Sequence, residues 1–173
     1  MRPTKKITVS ALTTALGSAL MAVGAVWELF DMALAAFASF FIVFILIEVG
    51  SPYPWLVWIT TSLITFLFFP ASTVWLMYFV FGVFPILKYY IEKLPRFLWF
   101  VLKLLYVNVC IIGLMYAMEL VFGLPLFETD SLILKIILYG VLNASFFAYD
   151  RLLTLLIRLY NEKYRDRFKR LFK

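Results

Sequence analysis

The sequence predicts an all-α polytopic membrane protein, a compact bundle of six transmembrane helices with both termini in the cytoplasm. Three observations carry this. Of 173 residues, 65% are hydrophobic and only 15% charged, too few polar groups to coat a soluble domain of this size. Charged residues punctuate long apolar runs, of which the fifth is broken only by Lys103 and the sixth, from Leu132 to Tyr149, only by Lys135. Lysine and arginine gather in three clusters that share one side of a membrane only if the crossings number six.

A spanning helix takes ~20 residues, within a range of ~17–25. The apolar runs and their flanks give spans at roughly 7–27, 29–49, 53–69, 71–90, 97–119 and 132–157. Backbone polar groups in hydrocarbon must bond internally, so these runs are helices and not strands. Connections fall at Glu28–Asp31, Gly50–Pro54, Pro70, Glu92–Arg96 and Gly123–Ser131, most of them marked by proline or glycine. The whole chain, 1–173, reads as a single transmembrane domain ending in a basic cytoplasmic tail, 158–173.

Topology follows from the cations. Arg2, Lys5 and Lys6 precede the first helix, Lys88, Lys93 and Arg96 lie between the fourth and fifth, and eight basic residues from Arg151 to Lys173 close the chain. The opposite loops carry Glu28, Asp31, Glu128 and Asp130. The positive-inside rule then places both ends on the cytoplasmic side of the cell membrane. Cleavage of the first helix as a signal peptide would leave five spans and a poorer charge pattern. The tail sets Leu155, Leu159, Phe168 and Phe172 among its cations. It reads as a surface lying on anionic lipid, and nucleic-acid binding is set aside in favour of that simpler contact.

The chain has no histidine and one cysteine. Zinc–histidine sites, Ser–His and Cys–His nucleophiles, haem–His ligation and an internal disulfide are thereby excluded. No enzyme, metal or cofactor is expected. Cys110, in mid-helix, reads as a small apolar packer.

Polar residues inside a membrane are expensive and are functional candidates by default. Asn108 and Glu119 are about three turns apart in the fifth helix and share a face, with Tyr116 near it. Tyr139 and Asn143 are neighbours in the sixth helix, and Asp150 continues their stripe toward the cytoplasm. Trp75 and Tyr78 occupy the outer half of the fourth helix. With Trp27, Glu28 and Asp31 these groups could line an outward-facing pocket, aromatic and acidic, suited to a flat ring or a cation. Equally, Asn108 and Asn143 could bond across the bundle while the aromatics sit at the interface. Glu48, Lys88, Glu92 and Lys103 lie near inner helix ends and read as topology anchors or ion pairs.

The first helix carries Ala11, Ala15 and Ala19 at four-residue spacing, with Gly17, Ser18 and Gly24 nearby. Small residues four apart let another helix approach closely, whether inside the bundle or from a partner. Lys5-Lys6, a short apolar lead-in and this alanine series resemble the opening of the substrate-binding S components of energy-coupling factor (ECF) transporters. Phe81–Lys93 (FGVFPILKYYIEK) is similar to Firmicute membrane proteins grouped with them. The architecture covers the whole chain; the residue-level likeness is confined to these stretches. The resemblance implies six helices with both termini inside and uptake of a vitamin or metal. It also implies a transmembrane coupling subunit docked on Ala11, Ala15 and Ala19, and a pair of ATPases. The chain has no GxxxxGK[ST] loop, so ATP hydrolysis would belong to a partner.

Two functions therefore compete. One is a binding and translocation subunit for a small molecule: a vitamin-like compound, an amine or a metal. The other is a structural scaffold of the rod-shape-determining type, without a ligand pocket.

Overall fold

The computed structural model describes residues 3–123 and 131–164, and these are helical throughout apart from short connections. The helices are α1 (Pro3–Val26), α2 (Asp31–Glu48), α3 (Tyr53–Phe68), α4 (Val74–Ile91), α5 (Arg96–Phe122) and α6 (Leu132–Leu159). A 3-10 turn, Glu28–Phe30, leads into α2, and a π turn, Tyr160–Tyr164, ends the described chain. Glu128 and Asp130 of the expected outer loop, and most of the basic tail, lie outside the described residues.

Five helices are long and apolar enough to cross a membrane; α3, at 16 residues, is shorter. Its length is set by proline. Pro54 occupies the first turn, where its missing N–H costs nothing, and Pro70 follows the last turn, where a helix cannot easily continue. Gly123 closes α5 in the left-handed region (φ 65°), its N–H returning to the Met118 and Glu119 carbonyls.

The helices divide into two compact units: residues 1–87 with 153–173, and residues 88–152. In the first, α1 packs on α2 and α3 through Ser10, Thr13, Gly17, Met21 and Gly24. These recur at helical spacing and are mostly small, so the backbones approach closely. A Cβ on Gly24 would lie 2.9 Å from Val74 Cγ2, and one on Gly82 would lie 2.7 Å from Trp58 Cδ1. Ala35, Ala38, Ile42 and Ile45 of α2, with Val57 and Thr61 of α3, complete a core whose members are almost wholly buried. Tyr160 donates a 2.9 Å hydrogen bond to Glu48 Oε1 and sets its ring edge-on to Phe44.

In the second unit, Val107 and Ile111 of α5 and Phe146 and Tyr149 of α6 are buried. Phe100 stacks on Phe147 with centroids 5.7 Å apart, and Tyr106 meets Phe146 at 5.8 Å. Residues 132–138, the first turns of α6, are exposed. The outward surfaces of both units are apolar, with Leu12, Leu67, Phe97, Leu105, Leu120 and Ile133 all exposed. Lipid covers such a surface at no cost, and water does not.

Candidate functional site

The alanines of α1 lie away from its packed side. Successive helical residues turn by about 100°, so residues two apart point in nearly opposite directions. Ala11 and Ala15 flank buried Thr13, and Ala15 and Ala19 flank buried Gly17; all three alanines are exposed. Leu12 and Leu16, also exposed, border them. The helix thus has two small-residue faces, one used within the chain and the other open.

The pocket candidates fall in both units. In the first, Asp31 opens α2, where its charge suits the helix N-terminus; Oδ1 accepts from the Met32 N–H and Oδ2 from the Thr73 hydroxyl at 2.5 Å. Glu28 begins the 3-10 turn, its side chain outside the described structure. Trp75 meets Phe66 edge-on at 5.0 Å and donates its indole N–H to the Pro70 carbonyl at 3.4 Å. Tyr78 is buried in the core at 1% exposure.

In the second unit the structure joins some candidates and parts others. Tyr139 donates to Asn108 Oδ1, Asn108 Nδ2 donates to the Leu104 carbonyl at 2.7 Å, and Asn143 Nδ2 donates to the Tyr139 carbonyl at 3.1 Å. Asn143 Oδ1 is buried without a partner. Tyr116 and Glu119 are exposed and take no part in this group.

The most completely built polar cluster lies elsewhere in that unit. Lys88, near the end of α4, contacts Glu92 Oε1 at 3.0 Å, the Asp150 carbonyl at 3.2 Å and Asp150 Oδ1. Lys103 of α5 contacts Glu92 Oε1 at 3.1 Å and the Asp150 carboxylate at 3.0 and 2.8 Å. Each ammonium therefore has an acceptor for each of its three protons. Lys88, Lys103 and Asp150 are buried at 1%, 7% and 8% exposure, while the Glu92 side chain is 32% exposed. Two cations and two anions cancel, which makes burial tolerable for charges that would be expensive singly. The sequence reading set Lys88, Glu92 and Lys103 near inner helix ends as anchors or ion pairs together with Glu48. The structure joins the first three to Asp150, which the stripe reading grouped with Tyr139 and Asn143, while Glu48 accepts a hydrogen bond from Tyr160.

Among the described residues no three His, Cys, Asp or Glu side chains are grouped to hold a metal ion. No protein-family model, curated protein or solved structure matches the chain.

Proposed function

We propose that this chain is a six-pass subunit of the cytoplasmic membrane that binds a small molecule from outside and carries it inward, energised by ATPases on partner chains. The observation that carries the reading is the outward placement of Ala11, Ala15 and Ala19, opposite the face α1 uses for internal packing. An alanine ridge bordered by leucines offers a membrane helix close van der Waals contact, and such contact drives helix association in lipid. Internal packing is already served by Ser10, Thr13, Gly17 and Gly24, so the ridge is left for a partner. The likeness of this helix to ECF S components supports the same assignment, as does the distribution of lysine and arginine for the cytoplasmic placement of both termini.

Affinity purification in mild detergent from the native host, with mass spectrometry of proteins and small molecules, tests the proposal. Co-recovery of a larger membrane subunit with an ATPase pair is expected. The scaffold reading is favoured by one observation, the hydrogen bond that the Tyr139 hydroxyl donates to Asn108 Oδ1, which uses these polar groups in packing. Recovery of cell-wall or division proteins, without ATPase or ligand, would decide for it.

A further inference from the structure

A groove opens on the first unit between α3 and α4, lined by Ile59, Ser62, Leu63, Phe66, Trp75 and Phe79 and spanning about 610 Å³, part of it open to the surroundings. Ile59, Leu63, Phe66 and Phe79 are 43–54% exposed and form its rim. The Trp75 N–H is turned to the Pro70 carbonyl, so the aromatic walls present carbon. The Ser62 side chain differs. It is 8% exposed, and its buried hydroxyl has no hydrogen-bond partner, a state that costs free energy until a polar group meets it.

We infer that this groove binds a lipophilic, ring-bearing small molecule with one hydroxyl or carbonyl group, admitted sideways from the bilayer. The inference rests on the transport reading and names the substrate class for it. Three aromatic side chains favour a ring, which they can meet edge-on or offset. The lone hydroxyl asks for a single polar group. Ser62 stands ten residues into the 16-residue α3, about 14 Å from its start and about 9 Å from its end at 1.5 Å per residue. The ester groups of a phospholipid stay at the interface, so an acyl chain brings only methylene to that depth. A small ring compound brings its oxygen with it.

The test uses the full chain in lipid nanodiscs with benzophenone, a two-ring ketone that crosslinks to nearby C–H bonds under ultraviolet light, and maps adducts by peptide mass spectrometry. Saturable adducts on Ile59, Leu63 or Phe66 are expected. Ser62→Ala should raise the half-saturating concentration about fivefold, the effect of one hydrogen bond. Leu63→Trp, at an exposed position, should fill the groove and abolish those adducts while leaving elution unchanged. Adducts that never saturate and spread evenly over lipid-facing helices would overturn the proposal, as would saturation indifferent to Ser62→Ala. Partner ATPases do not enter this readout. Partner recovery without saturable labelling removes the groove alone; saturable labelling without partner recovery removes the transport reading.

Discussion

Lys103 Nζ lies 2.8 Å from Asp150 Oδ2, joining α5 to α6 across 47 residues of sequence in a largely buried ion pair. Lys88 meets the same carboxylate from the end of α4, so one aspartate holds two helices. Asp150→Asn leaves two buried ammoniums sharing Glu92. It should destabilise the fold by about 3–5 kcal/mol, the usual effect of breaking one partner of a buried pair. The combination Lys103→Met with Asp150→Asn restores neutrality and should cost less than Asp150→Asn alone. Thermal melting in detergent checks both; a double variant costing the sum of the singles would remove the claim of coupling.

Glycine substitutions should divide by location. Gly24→Ala and Gly82→Ala place a Cβ against Val74 and Trp58 and should destabilise by about 1–3 kcal/mol through overpacking. Gly113→Ala and Gly140→Ala meet open space within the chain. They should be neutral or gain up to about 1 kcal/mol from helix propensity. Melting temperatures of the four variants measure the contrast, and equal losses at all four sites would contradict the packing described.

Tyr160→Phe keeps the ring against Phe44 and removes the hydroxyl that donates to Glu48. A loss of about 1 kcal/mol is expected. Glu48→Gln, which retains an acceptor, should lose less in the same denaturation assay.

The helices were legible because proline, glycine and charge interrupt the apolar runs at their ends. Pro70 marks the end of α3, and Gly123 the end of α5. Side-chain neighbours were less legible, for two physical reasons. A helical face says nothing about depth. Asn143 and Asp150 share a face of α6, yet seven residues separate them by about 10 Å, and Asp150 belongs to the charged cluster instead. Nor does a shared face imply a shared neighbour. Glu119 continues the face of Asn108 but stands exposed, near the end of α5. In α1, spacing revealed small residues without saying which set packs inside. The Gly17 and Gly24 set does, and the alanines do not.

The docking of α1 on a partner is tested most directly by tagged chains carrying Ala11→Leu and Ala15→Leu, purified beside the parent chain with co-recovered membrane subunit and ATPases quantified. Because both positions are exposed, yield and melting temperature should be unchanged, while partner recovery falls at least tenfold. Undiminished recovery from a well-folded variant would contradict docking through this face.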